Sequence, residues 1–203
     1  MDWFYYTPIL PVGQLCYHGS MNRKSVVSVI LVAMFTALMA AGSFIRVPLP
    51  PVPVTLHTLF IMLCGILLPL SLSLPSVLLY LFLGLIGLPV FTGGGGFAAL
   101  AGPTGGYIAG YIPAVIVLGL FRPACRKCNC VFLFASACLL SQICIYVPGL
   151  LWLRHSLSLS TQAALAAGLV PFIIGDLVKT AVAAVAGKTL LPRVDGFFSE
   201  DAE

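Results

Sequence analysis

Between Asp2 and Asp195 the chain contains one acidic residue, Asp176, and it lies inside a long apolar run. An average soluble domain carries about 25% charged residues. Here only 8% of 203 residues are charged, 60% are hydrophobic, and the mean hydropathy is +1.09. That leaves too little polar surface to coat a water-soluble globule, so the apolar runs must meet lipid. A membrane-crossing helix uses about 20 apolar residues, and a chain this long holds roughly six to eight of them with their loops.

Apolar runs bounded by Pro, Gly and polar clusters predict spans near residues 25–45, 55–70, 74–88, 104–121, 131–151 and 162–191. The expected fold is all-α, with six transmembrane helices forming a single domain over 21–203. The second and third spans are short and are expected to meet in a turn from Pro69 to Pro75, where a tilted or re-entrant path stays open. Residues 1–20 contain Pro8, Pro11 and Gly13 and read as an irregular extension, with Met21 as a natural start. The segment from Arg23 to Ala41 has a signal-peptide outline, but equally apolar runs follow it to the end of the chain, which favours a retained first span.

Charge decides orientation. Arg23, Lys24, Arg122, Arg126, Lys127, Lys188 and Arg193 fall on one side of a six-span topology, against Arg46 and Arg154 on the other. The positive-inside rule then puts both termini in the cytoplasm. The same rule accounts for the +4 formal charge, and no basic stripe with interleaved aromatics points to nucleic acid.

Lys179, three positions after Asp176, is the one basic residue well inside a predicted span. A charged residue at mid-membrane costs about 2.5–3.5 kcal/mol on translocon scales, so such residues face a cavity, a partner or a pathway. At that spacing both side chains project from one helix face and either pair or grip one polar ligand. Mutual neutralisation that pins two helices is the bland alternative, but apolar replacement of a buried ion pair is often neutral or stabilising, so it supplies a weak motive. Pro171 suits a first helical turn. Asp176 is thereby set near the outer, positive end of the last helix, where a carboxylate is favoured.

Three unusual segments fall on the same outer side. In VPLPPVPVT (Val47 to Thr55) four prolines forbid regular helix and make a stiff connector. In GLPVFTGGGG (Gly87 to Gly96) four successive glycines let the backbone fold close over something. GPTGGY (Gly102 to Tyr107) enters the fourth span with Thr104 as its expected N-cap. Together with an outward ion pair they describe a lidded pocket.

Two motifs are set aside. Gly187, Lys188 and Thr189 read GKT, but a phosphate loop would need a glycine where Val182 stands, and the segment ends an apolar helix. Cys125, Cys128 and Cys130 lack a clear fourth ligand and are interleaved with Arg126 and Lys127, so no metal is expected. The other cysteines, Cys16, Cys64, Cys138 and Cys144, are scattered rather than spaced as a disulfide framework. On the first span Ala33, Ala37 and Ala41 recur every four residues, a small-residue stripe that serves either internal packing or docking of another membrane subunit.

VPLPPVPVTL (Val47 to Leu56), GLPVFTGGGG (Gly87 to Gly96), GPTGGYIAGY (Gly102 to Tyr111) and PFIIGDLVK (Pro171 to Lys179) resemble, in order and separation, the successive signatures of the BioY family. These are the biotin-specific S components of energy-coupling-factor (ECF) transporters. The resemblance implies a compact six-helix bundle in a bacterial inner membrane that captures biotin from outside. It implies partners as well: a transmembrane coupling subunit and two cytoplasmic ATPases, the S component toppling to release the vitamin inside. It carries ligand contact over to Asp176 and Lys179, and docking over to Ala33 and Ala37. The expected pocket adds Phe91, Thr92, Gly93 and Gly94 of the glycine-rich loop and Tyr107 of the following entry. No cofactor is implied. The chain departs from the family pattern at His57, where Gln is common, at Thr92 and Phe97 in the loop, and in PLSLSLP, which lacks a charge often found there.

Two other readings stay in view. A stand-alone vitamin transporter would use Asp176 to carry a coupling proton, but the repeated halves of many such carriers are not apparent. An intramembrane enzyme would need a nucleophile with its base or clustered carboxylates. With one intramembrane acid, and His18, His57 and His155 distant from it in sequence, no enzyme is expected.

Overall fold

The computed structural model describes residues 23–48, 51–92 and 94–199. The extension over 1–20 and Gly93 lie outside the described residues. Helix α1 (Arg23–Phe44) is followed by a two-residue antiparallel ribbon, β1 (Arg46–Val47) and β2 (Val54–Thr55), which pairs Arg46 with Thr55 and Val47 with Val54. The ribbon is this short because the intervening prolines have no N–H to extend a ladder. Six helices complete the described chain: α2 (His57–Leu67), α3 (Leu70–Leu85), α5 (Gly105–Cys128), α6 (Val131–Ser156), α7 (Thr161–Gly168) and α8 (Val170–Ser199), with the one-turn α4 (Phe97–Ala101) before α5.

Helices α1, α5, α6 and α8 are long and apolar enough to cross a membrane, while α2 and α3 are shorter apolar helices. Their outward faces stay apolar, with Phe132 84% and Ile174 77% exposed, as a multi-pass membrane protein requires. Inside, Met39, Ile61, Met62, Leu118, Phe134, Ala183 and Ala184 are fully buried where α1, α2, α5, α6 and α8 meet.

The hairpin of α5 and α6 is the frame against which α2, α3, α7 and α8 pack. It turns at Asn129, whose left-handed backbone (φ 43°) ends α5 with a bond from its N–H to the Cys125 carbonyl (2.8 Å). Higher up, the two backbones touch. A Cβ on Gly106 would lie 2.3 Å from the Pro148 oxygen, and one on Gly110 would lie 2.7 Å from Ile145 Cα. Only glycine permits that approach, as in small-residue membrane interfaces generally.

Four local expectations are corrected. The turn between the second and third spans occupies only Leu68 and Pro69, and Pro75 lies inside α3. A membrane helix tolerates the single hydrogen bond that proline removes, and the Pro69 carbonyl starts the helix by accepting from Leu72 and Ser73 N–H (2.8 and 2.9 Å). Thr104 stands at the N-cap position of α5 but makes no capping bond; its hydroxyl leans to the Ala99 carbonyl (3.5 Å). Helix α5 runs past 121 to Cys128 through Pro123, and α6 past 151 to Ser156, each longer than the apolar stretch alone indicates. The run 162–191 is two helices, α7 and α8, parted at Leu169. Pro171 cannot donate to the carbonyl four residues back, which favours a break there and suits it to the first turn of α8. Ser160 caps α7 instead, accepting from Ala163 N–H (3.2 Å).

Candidate ligand pocket

Asp176 and Lys179 sit on consecutive turns of α8 and are 6% and 7% exposed. Lys179 Nζ donates to Asp176 Oδ1 at 2.8 Å and to Thr58 Oγ1 on α2 at 3.1 Å. The Tyr146 hydroxyl on α6 donates to Asp176 Oδ2, and Gln142, one turn earlier, donates to the Asp176 carbonyl (3.2 Å) and to Thr180 Oγ1 (2.8 Å). Three helices thus converge on two charges. The ammonium retains one N–H beyond its two bonds, and the carboxylate retains lone pairs beyond its two acceptances.

The pair lines a cavity of about 530 Å³, its mouth included. Its polar lining comes from Thr55, Thr58, Thr92, Thr104, Gln142, Tyr146, Asp176 and Lys179, and its other aromatic lining from Tyr107, Tyr111 and Phe172. Small-molecule sites combine apolar walls with a few placed polar groups, and this lining has both. Tyr107 and Phe172 meet the Tyr146 ring edge-on, at centroid distances of 6.3 and 6.5 Å. Tyr107 is fixed further by a bond from its hydroxyl to the Gly168 carbonyl (2.9 Å), before the break that starts α8.

The mouth is covered by the two connectors that sequence singled out. The proline-rich one contributes Val52, Pro53 and Thr55 to the lining, and the glycine-rich one contributes Thr92. They are joined where Arg46 donates to the Thr92 carbonyl. The glycine-rich loop folds back on itself through reciprocal bonds between Phe91 and Gly94 (3.0 Å each), and Gly87, Gly94 and Gly96 adopt positive φ (105°, 111° and 82°) that L side chains rarely adopt.

Of the residues expected in the pocket, Asp176, Lys179, Thr92 and Tyr107 line it. Phe91 does not. It is 4% exposed, packs edge-on to Tyr80 (5.5 Å), and lies so close over Gly84 that a Cβ there would be 2.1 Å from its ring. Phe91 anchors the loop, helped by the Tyr80 hydroxyl, which donates to the Val90 carbonyl (2.9 Å). Gly94 shapes the loop without reaching the lining. Ala33, Ala37 and Ala41 are all exposed on α1, whose opposite face buries Phe35, Thr36 and Met39. Among the described residues the stripe therefore takes no part in internal packing.

Sequence reasoning passed over Thr58, Tyr111, Gln142 and Tyr146. For Gln142 a signal existed: an amide in the apolar run ASACLLSQICIYV is costly for the same reason as an intramembrane aspartate. His57 heads α2 fully buried, its Nδ1 2.9 Å from the Met39 carbonyl and its ring against Tyr80 and Tyr111 (4.5 and 4.7 Å). It stands behind the pocket wall.

The fold and the cavity define a multi-pass membrane protein with a cavity lined by a buried acid–base pair. The chain belongs to the BioY family, whose profile matches residues 19–196. It is 38% identical over 161 residues to the probable biotin transporter BioY of Pyrococcus horikoshii, covering 79% of this chain and 93% of that one. Its identity to the biotin transporter BioY of Thermotoga maritima is 38% over 153 residues (75% and 88% covered), and to that of Rhodobacter capsulatus 36% over 175 (80% and 92%). The fold is similar to the crystal structure of the S-component for biotin from an ECF-type ABC transporter, with a TM-score of 0.77 and 32% identity over 83% of this chain and 93% of that one. The family is one of transporters, not of enzymes.

Proposed function

We propose that this chain captures biotin for uptake, binding it from outside in the Asp176–Lys179 cavity and passing it inward with energy from a separate ATPase module. One observation carries the reading: in a BioY-family chain, a buried acid and base line one cavity with donor and acceptor capacity to spare. Biotin matches that inventory. Its ureido ring has two N–H donors and a carbonyl acceptor, its sulfur-containing ring is apolar, and its carboxylate ends a flexible chain. Asp176 suits the N–H donors, Lys179 an oxygen, and the aromatic walls the apolar ring.

Six crossings with both termini cytoplasmic fit this role. At 1.5 Å per residue α2 is about 17 Å long, short of the roughly 30 Å hydrocarbon core. It nonetheless leads from Thr58, beside Lys179, to Leu67, whose carbonyl accepts from Arg122 (3.2 Å) at the opposite, basic end of α5. Helix α3 returns toward the pocket loop. The seven basic residues of that other end orient it to the cytoplasm of a bacterial inner membrane.

The exposed stripe of Ala33, Ala37 and Ala41 is then the docking face for a transmembrane coupling subunit, which two ATPase subunits would drive. The GKT tripeptide lies within α8, where Thr189 bonds to the Val185 and Ala186 carbonyls (3.1 Å each), and supplies no phosphate loop.

Titration of the detergent-purified chain with biotin, beside thiamine and riboflavin, tests capture. Saturable binding of biotin alone is expected, and a folded sample that ignores biotin sinks the reading. Replacing Ala33 and Ala37 by Leu is expected to leave that binding intact and abolish coupled uptake. Loss of binding instead would refute the docking role.

A further inference from the structure

Asp176 is held from a helix that carries none of the family motifs. On α6, Gln142 and Tyr146 are four residues apart and so face α8 together. Gln142 donates to the Asp176 carbonyl (3.2 Å), adding to the helix's own bond there, and to Thr180 Oγ1 (2.8 Å). Tyr146 donates to Oδ2 while Lys179 donates to Oδ1. The Tyr146 ring is itself fixed by edge contacts with Tyr107 and Phe172, at interplanar angles of 84° and 68°.

What lies behind these residues gives the arrangement its force. Gln142, Tyr146 and Asp176 line the cavity on one side and, on the other, a groove between α6 and α8 walled by Leu139, Ile143, Ile173 and Leu177. Those four are exposed on the outward faces of membrane-crossing helices. Lipid on that side offers Oδ2 no donor, and a carboxylate oxygen in such surroundings without one is costly. Tyr146 is at once the wall of the pocket and the donor that Oδ2 needs.

We propose that Tyr146 is the positioning residue for Asp176. It holds the carboxylate at one rotation, so that a ligand's N–H groups meet a preorganised acceptor. An ionised carboxylate has about four lone-pair sites. Lys179 and Tyr146 occupy one each, and the two that remain equal in number the N–H donors of a cyclic urea. The ligand half of this inference rests on the biotin-capture reading; the contact half does not.

The test uses two measurements on the full chain, wild type and Tyr146→Phe, which keeps the ring and its edge contacts. The first, without ligand, is the infrared carboxylate band of Asp176, isolated by subtracting the spectrum of Asp176→Asn. It is expected to shift in Tyr146→Phe, and an unmoved band overturns the inference. The second is equilibrium biotin binding, expected to weaken about ten- to a hundredfold, as for one hydrogen bond to a charged group. A shifted band with wild-type affinity would also overturn it, since the contact would then position nothing. If folded wild-type protein binds no biotin, the capture reading falls with the cyclic-urea assignment, and the band alone decides whether Tyr146 holds Asp176.

Discussion

Among the described residues two ion clusters stand at opposite ends of the bundle, one buried and one half-buried, and they are built differently. At the pocket end, Asp176 and Lys179 are three residues apart on one helix. At the opposite end, Arg122 on α5 pairs with Asp195 on α8, 73 residues away, and Arg122 also donates to the Leu67 carbonyl that ends α2. Arg126 adds a second contact to Asp195 at 3.3 Å. The first ion pair itself lies within one helix, and its ties to α2 and α6 run through the neutral side chains of Thr58 and Tyr146. A pair that spans α5 and α8 and reaches α2 fastens three helices. The contrast is between an ion pair within one helix that lines a cavity and an ion pair that itself bridges two helices.

Substitution should break the two clusters in different ways. The largest expected effect is on ligand: Asp176→Asn and Lys179→Ala each remove more than one charge-assisted hydrogen bond and should weaken biotin binding by about a hundredfold or more, with membrane insertion unchanged. Equilibrium binding beside a membrane-fraction assay checks this, and wild-type affinity in either variant would remove the pocket from the pair. A smaller effect is expected at the opposite end. Asp195→Ala leaves Arg122 without its charge partner and should lower stability by about 1–3 kcal/mol, read as a reduced unfolding midpoint, while biotin affinity stays within twofold. Altered affinity with unchanged stability would erase the distinction.

Much of the pocket was legible in the sequence because its parts violate what a membrane helix permits. A lone aspartate with a lysine one turn on, four prolines in nine residues and four successive glycines each stand out against an apolar background. The loop's details were less legible. Phe91 lies beside Thr92 in sequence, yet it turns inward over Gly84 while Thr92 lines the cavity, because a hairpin closed at Phe91 and Gly94 sends neighbours in different directions. The break at Leu169 was half visible. Pro171 marked a helix start, but the apolar character of the run continued through it.

Sequence by itself determined that this chain must live in lipid, which end of it carries the positive charge, and that Asp176 and Lys179 share one face of one helix. These follow from composition and from the 3.6-residue period, which need no knowledge of neighbours. Only the tertiary structure decided that Thr58, Gln142, Tyr146 and Tyr111 belong to the same site, and that the alanine stripe faces outward. Those residues come from three other helices, brought in by contacts such as Gly106 and Gly110 against α6. Which helices pack together depends on surfaces far apart in the chain, and no local pattern encodes it.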